Sequence, residues 1–487
     1  MKDVIEKYAH NIEFIDLKVV DVQGRLRHVT LPGNRLDDSL FREGVGFDAS
    51  NFGFASVESS DMIMIPDPDT AFIDPFYDEK NLSFFCDVFL VDTLEPFDQY
   101  PRNVLRNAVN KLEEIGAKNA MMAPELEFHL FESFGYGTDT SGSFYKVDVS
   151  EGFWNSQVLS NQYVVDRKRG YHRTPPVDAY SGFRNEVVKA LLKIGIPVKY
   201  HHHEVSSAQH EIELFFQNAL KAADSIILTK YIIQNIATRH GLAATFMPKP
   251  LYNEAGNGLH VHQFLVNENN SNLFSGKEYS GLSQIALQYI AGILYHSLSG
   301  SLLAFTNPST NSFKRLVPGF EAPVCAAFAK ANRSAAIRIP GYVKKPEKVR
   351  IEFRTMDATC NPYYSLAAIL MAGIDGIKRE FDPVKMGFGP LEENIYKMAD
   401  DEREKIHRGE DLLPGDGSDP GKDETGSASS FPGGGRERQA LPRSPFPESR
   451  RSDLPGAGGS PPGTATDLGD PLAHPCRARP ERTRHGR

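Results

Sequence analysis

An α+β protein with a strand-rich front end is what this sequence predicts. Three observations lead there. The first hundred residues carry short apolar runs of strand period, broken by turn residues. From Pro101 onward, helical periods closed by glycine alternate irregularly with strands, which points to a largely antiparallel sheet. Several of those later strands place carboxylates, histidines or arginines at alternate positions, so that they share one face.

The elements follow in chain order. "IEFIDLKVVDVQGRLRHVTLP" reads as two strands around a turn at Gly24, and "NLSFFCDVFLVD" as a third. "YPRNVLRNAVNKLEEIG" reads as a helix that Pro101 opens and Gly116 ends. A domain boundary is therefore expected near Pro101, giving domains 1–100 and 101–412. "SGFRNEVVKALLKIG" and "NALKAADSIILTKYIIQNIATRHG" predict helices, each closed by glycine, while "HHHEVSSAQHEIELFF" and "KVRIEFRTMDAT" predict strands. "NPSTNSFKRLVPGFEAPV" is rich in turn residues and predicts a loop. From Leu413 to residue 487 the chain has no Ile, Val, Met, Tyr, Trp or Asn, and Lys422 is its only lysine. Such a composition cannot offset the entropy of ordering, so a disordered tail is expected. The abrupt exchange of lysine for arginine also suggests translation in a shifted frame.

Composition excludes several functions. With 487 residues, 40% of them hydrophobic, the chain can build a large core and two or more domains. A formal charge of −9 argues against nucleic acid as a partner. No apolar stretch is long enough to span a membrane, and "MKDVIEKYAHNIEF" lacks the apolar core of a signal peptide. Cys86, Cys325, Cys360 and Cys476 form no CxxC pair, which suggests neither a zinc site nor a disulfide framework. A reducing, cytoplasmic location is expected.

The chemistry sits in six separated stretches. "APELEF" sets Glu125 and Glu127 side by side on a strand, where they repel unless a cation lies between them. A solvated edge strand would be the plain alternative. "HHHEVSSAQHEIEL" adds Glu204 and Glu211. Its histidines, His201 to His203, cannot all reach one ion from adjacent strand positions, and structural roles are favoured for them. "AGNGLHVHQF" places His260 and His262 on one face behind Gly256 and Gly258, glycines that permit close approach to a ligand. "VRIEFRTMD" aligns Arg350, Glu352 and Arg354, for which a simple salt bridge is the plainer reading. Arg315, Glu321, Arg333 and Arg338 complete the set. Glutamates with imidazole suit hard divalent cations, and arginines suit phosphate and carboxylate. This is the equipment of a magnesium-dependent, ATP-using ligase, although no GxxxxGK[ST] loop is present.

Taken together, "APELEF", "HHEVSSAQHEIE", "GNGLHVH", "NPSTNSFKRLVPGFEAP", "NRSAAIRIP" and "RIEFR…NPYYSLAAILMAGIDGI" resemble the type I glutamine synthetases in order and spacing, from near the N-terminus to about Leu413. The resemblance implies a β-grasp N-terminal domain and a catalytic domain built on a curved antiparallel sheet with surrounding helices. It implies stacked hexameric rings whose active sites are completed by a neighbour. The implied substrates are glutamate, ammonium and ATP, with Mg2+ or Mn2+ at two sites. By position, Glu127, Glu204 and Glu211 match the first metal's ligands, and Glu125, His260 and Glu352 the second's. Arg315 and Arg354, with Gly256, match the glutamate site. Arg333 and Arg338 match the groups that steady the phosphoryl, and Arg350 and His262 nucleotide-side contacts. Glu321 matches the flap that closes over the intermediate, and Asp48 the acid that binds ammonium across the subunit boundary.

Three departures from the family pattern bear on function. "DASNFGF" replaces the usual Gly and Ser after Asp48 with Ala49 and Asn51. Ala255 stands where an asparagine usually touches the glutamate amino group, leaving Asn257 to compensate. No counterpart of the C-terminal helices follows Leu413. Two other readings therefore stay open: a γ-glutamyl ligase that uses an amine in place of ammonia, and an inactive or regulatory product. Tyr396 aligns with the family's adenylylated tyrosine, but "NIYKMADDE" differs around it and no adenylylation is expected.

Overall fold

The structure is a computed structural model that describes residues 1–155 and 163–393. The expectations for the tail from Leu413 and for Tyr396 lie outside the described residues.

The N-terminal elements are α1 (Lys2–Tyr8), β1 (Phe14–Val20), β2 (Leu26–Pro32), α2 (Asp38–Glu43), β3 (Val45–Asp48), β4 (Asp61–Pro66), β5 (Phe72–Ile73) and β6 (Asn81–Leu90). The Asp37 side chain caps α2 by accepting from the N–H groups of Ser39 and Leu40. The sheet order is β2-β1-β6-β4-β3, with β5 also on β6. β1 runs parallel to β6 and the other pairs are antiparallel. At the β1–β2 turn Gly24 has φ +79°, and a Cβ there would lie 2.9 Å from the Asn361 Cα. Glycine is thus required by both the turn and the approach. Asn361 in turn donates to the carbonyls of Asp21 and Val22.

The remaining elements are α3 (Pro101–Asn110), β7 (Asn119–Phe131), β8 (Ser133–Thr138), β9 (Ser143–Asp148), α4 (Ser181–Lys193), β10 (Val198–His203), β11 (Gln209–Leu214), β12 (Gln217–Asn218), α5 (Ala219–Arg239), β13 (Ala243–Thr245), β14 (Leu259–Val266), α6 (Gln284–Leu298), α7 (Leu303–Thr306), α8 (Thr310–Arg315), β15 (Cys325–Lys330), β16 (Ala335–Ile339), β17 (Ile351–Phe353) and α9 (Pro362–Lys378). Their main sheet runs β10-β11-β7-β14-β17-β16-β15, with β12 and β13 also on β7. β15 and β16 are parallel and every other pair is antiparallel. β7 is an interior strand, paired on both sides, which overturns the reading of an exposed edge. Leu126, Phe128 and Leu130 join the main core, while Glu125 and Glu127 alternate to the opposite face. Pro124 sits in this interior strand without loss, because β11 pairing stops at Glu125 and β12 pairing begins at Met122. No ladder bond is asked of its missing N–H on that side.

Two sequence expectations need correcting. The stretch predicted as a loop around Lys314 contains α8, started by a capping box between Ser309 and Ser312. The strand predicted over "KVRIEFRTMDAT" shrinks to β17, because pairing partners exist only for Ile351 to Phe353.

One buried cation joins the two parts. Arg102, at the first turn of α3, donates to Asp67 at 2.7 Å, Asp87 at 2.8 Å and Asp224 at 3.2 Å. Asp67 and Asp87 belong to the N-terminal sheet region and Asp224 to α5, where the Tyr363 hydroxyl of α9 also donates to it. A buried charge is tolerable when so fully partnered.

Candidate active site

Register brings the polar residues together. Across the ladder Glu125 faces Glu213 on β11 and His260 on β14, and Glu127 faces Glu211. His262 faces Glu352, which faces Arg338 on β16. The His260 and His262 rings meet the Glu125 carboxylate at 3.1 and 2.8 Å. Glu352 accepts from Arg354 at 2.5 Å and also from Arg338. The salt-bridge reading of this stretch thus holds for Arg354, but Arg338 rather than Arg350 is the other partner. Arg350 turns away, donates to the Tyr342 hydroxyl and lies over the Phe216 ring.

Among the described residues, three groups have ligand atoms within 4.8 Å of one another: Glu125–His260–Glu352, His202–Glu204–Glu211 and Glu125–Glu213–His262. The first matches the expected second-metal set. In the second, His202 stands where Glu127 was expected. Glu127 lies alongside, with its carboxylate accepting from the Gly258 N–H at 2.9 Å and from Gln209 at 3.1 Å. A Cβ at Gly258 would sit 2.6 Å from the His260 ring, so that close approach requires glycine.

His202 is therefore a residue that the sequence reading passed over. Its neighbours behave as expected of structural histidines: His201 contacts Arg184 and Asn185, and His203 contacts Glu151. The alternation that sends those two the other way points His202 into the site, opposite Glu211. That pairing was the missed signal.

A cavity of about 320 Å³ collects most of the predicted residues: Glu125, Glu127, Glu204, Glu211, Gly256, His260, Arg315, Glu321, Arg333, Arg338, Glu352 and Arg354. His262 is buried behind its wall. Arg350 lines a second, more apolar cavity of about 590 Å³ with Phe216, Phe264, Lys344, Lys345 and Lys348, and the two cavities share Lys199 and Tyr342. Asp48 lines neither cavity. It is exposed at the end of β3, where it accepts from the Ser50 N–H at 2.9 Å and from Asn51 at 3.3 Å.

Asn257 does not compensate for Ala255. Its side-chain oxygen accepts from the His129 Nδ1–H at 2.8 Å and its amide nitrogen donates to the Met247 carbonyl at 2.9 Å, away from the cavity. Ala255 itself lines the cavity.

The electrostatics separate two regions. Burial pushes Glu204 well up, and Glu211 and Glu127 push it further; burial, then Glu125 and Glu127, do the same to Glu211. These carboxylates have too little positive charge around them. Glu352 is the opposite case: burial would raise it, but Arg354, His262 and Arg338 outweigh burial and bring it down to about 2. Buried Nε–H groups of Arg315, Arg338 and Arg354 find no hydrogen-bond partner among the described residues. An under-neutralised set of oxygens with one imidazole fits a hard divalent cation. Adding Mg2+ or Mn2+ is expected to raise the melting temperature and EDTA to lower it. The gain is about 2.7 kcal/mol when the cation is at 100 times its Kd. Differential scanning fluorimetry checks this, and a melting temperature that ignores both additions would remove the cation reading.

Fold and site together define an enzyme that works on anionic substrates with divalent cations. The family model described as "Glutamine synthetase, beta-Grasp domain" matches residues 11–91, and "Glutamine synthetase, catalytic domain" matches residues 98–416. The glutamine synthetase of Aquifex aeolicus is 44% identical over 416 residues, 85% of this chain and 86% of that one. That of Escherichia coli strain K12 is 41% identical over 407 residues, covering 82% and 84%. A cryo-EM structure of Plasmodium falciparum glutamine synthetase superposes with TM-score 0.72 at 31% identity, over 78% of this chain and 75% of that one. The chain belongs to the glutamine synthetase family.

Proposed function

We propose that the chain joins ammonia to L-glutamate at the expense of ATP, giving glutamine, ADP and phosphate. The observation that carries this reading is the joint placement, around one cavity, of two carboxylate–histidine clusters and four arginines. Bound Mg2+ or Mn2+ would be held by Glu125, His260 and Glu352 at one site. Glu127, Glu204 and Glu211, with His202 added, would form the other. These ions would supply Lewis-acid neutralisation of phosphate charge.

The residues divide the work. Arg315, Arg354 and Gly256 hold the glutamate, with the Arg315 guanidinium braced against the carbonyls of Arg354, Thr355 and Met356. A glutamate γ-carboxylate oxygen attacks the terminal phosphorus of ATP and ADP leaves, forming an acyl phosphate. Arg333 and Arg338 steady the phosphoryl group during transfer. Ammonia then attacks the γ-carbon and phosphate leaves. Glu321, at the cavity mouth and 3.7 Å from Arg333, closes to exclude water from the intermediate. The second cavity takes the nucleotide. Its aromatic residues suit a base and Arg350 lines it, while His262, buried behind the first cavity's wall, acts on the nucleotide side through Glu125.

Asp48 would bind ammonium and take its proton. Its exposure on the N-terminal sheet, outside the cavities of its own chain, supports donation to a neighbouring copy in a homo-oligomer. Asp48→Ala is expected to spare glutamate-dependent ADP formation without ammonium and to cut glutamine formation by about a hundredfold or more, within the range for a lost general base. Equal falls in both would end this assignment. Screening ADP release across ammonium and primary amines separates the ammonia reading from the amine reading, which the Ala255 departure keeps in view. The use of ATP and glutamate points to the cytoplasm. Among the described residues no helix is long and apolar enough to cross a membrane.

A further inference from the structure

We infer that Glu151, with His203, is a positioning residue for the His202–Glu204–Glu211 cluster: it clamps the turn that carries these ligands from behind. The inference rests on the reading of that cluster as a cation site. Glu204 and Glu211 lie on the two arms of a hairpin, joined through residues 205–208, so the conformation of this turn sets the distance between their carboxylates. The turn is closed only in part from within, where the Ser206 N–H donates to the Gln209 side-chain oxygen and the Gln209 N–H to the Ser206 carbonyl, both at 3.2 Å. Ala208, without being glycine, adopts φ +64° there, a conformation that must be held by its surroundings.

Glu151 supplies that hold. It is fully buried, and its Oε1 accepts from the Ala208 N–H at 2.7 Å and meets the His203 Nε2 at 3.0 Å. The other nitrogen of the same ring donates to the Glu204 carbonyl at 2.6 Å. One carboxylate oxygen thus grips both ends of the turn, directly at Ala208 and through His203 at Glu204. Its main chain is fastened as well, since the Glu151 carbonyl accepts from the Val165 N–H at 2.7 Å, and the Val165 carbonyl accepts from the Ser207 hydroxyl at 2.9 Å. The clamp reaches further through Gln209, the next residue, whose side-chain amide donates to Glu127 at 3.1 Å and to the Gly256 carbonyl at 3.0 Å. A shift of the turn would therefore move Glu204 and the Gln209 partner of Glu127 relative to Glu211, which the sheet holds between His202 and Glu127. It would leave Glu125, His260 and Glu352 in place, because those are set by β7, β14 and β17.

The test is Mn2+ binding to the full-length protein, followed by electron paramagnetic resonance of free Mn2+ with no turnover required. Glu211→Ala and His260→Ala assign the two classes of site. Glu151→Ala is expected to weaken the class lost in Glu211→Ala by about 10- to 100-fold, as outer groups of metal sites do, and to leave the other within a factor of two. Glu151→Gln, which keeps an acceptor oxygen in place, is expected to restore most of the affinity. His203→Asn cuts only the arm through the ring and keeps the test decisive if Glu151→Ala does not fold; it should weaken the same class alone. Equal weakening of both classes, or of neither, overturns the inference while leaving the cation reading intact. Failure of Glu211→Ala to abolish any Mn2+ class in an otherwise folded protein removes the cation reading, and the inference with it.

Discussion

Replacing Glu352 by alanine is expected to reduce ATP turnover to about a thousandth or less, at the upper end of what loss of one fixed charge-stabilising group costs. Glu352 is 1% exposed and sits between His262 and Arg338 in the ladder. It accepts from Arg338 and Arg354 and lies 3.9 Å from the nearest nitrogens of His260 and His262. Its folded value of about 2 lies below that of a free glutamate. The charge is therefore present throughout the neutral range, and its stabilising effect is full above the ordinary glutamate value and lost as pH falls from there through about 2. Alanine would remove one of three members of a cation cluster and leave two buried guanidinium groups facing each other without a carboxylate. Glu352→Asp keeps the charge but withdraws it by one methylene, so weak activity should survive. ADP release measured beside a melting curve separates chemistry from folding. Near-normal turnover in the alanine variant would place the reaction elsewhere.

The largest effect on stability is expected at Arg102. Arg102→Leu leaves Asp67, Asp87 and Asp224 without their shared cation in a buried site, and breaking such a group costs about 3–5 kcal/mol. The cost should fall on the junction, because Asp87 belongs to the N-terminal sheet and Asp224 to α5. Arg106 is a useful control, since it also reaches Asp87 at 2.9 Å but is partly exposed. Arg106→Ala should cost no more than about 1 kcal/mol. Urea unfolding at one fixed protein concentration compares the two. A loss at Arg102 no larger than at Arg106 would show that the buried cluster does not hold the parts together.

Much of the site could be read from the chain because period-two alternation is a local property. Glu125 and Glu127, or His260 and His262, must share a face wherever their strands lie. The helices over 181–193 and 219–239 were legible for a similar reason, as helical period and a closing glycine are both local signals. Reading failed where the partner strand decides. His202 became a candidate ligand only when its pairing with Glu211 was known. Asn257 was lost as a candidate because His129 and the Met247 carbonyl, distant in sequence, had already engaged its amide. Arg350 left the row of Glu352 because Tyr342 and Phe216 offered it a better surface.

By itself the sequence determined the residue types, their facing along each strand, the family they resemble and the need for cations between repelling carboxylates. Each follows from covalent order and short-range geometry. The tertiary structure decided that β7 is interior rather than an edge, that Arg338 is the second partner of Glu352, and that Glu151 lies behind the His202–Glu204–Glu211 cluster. Those facts depend on which strands pair and which loop folds back. Such choices are set by burial of the whole core, which no single stretch of the chain encodes.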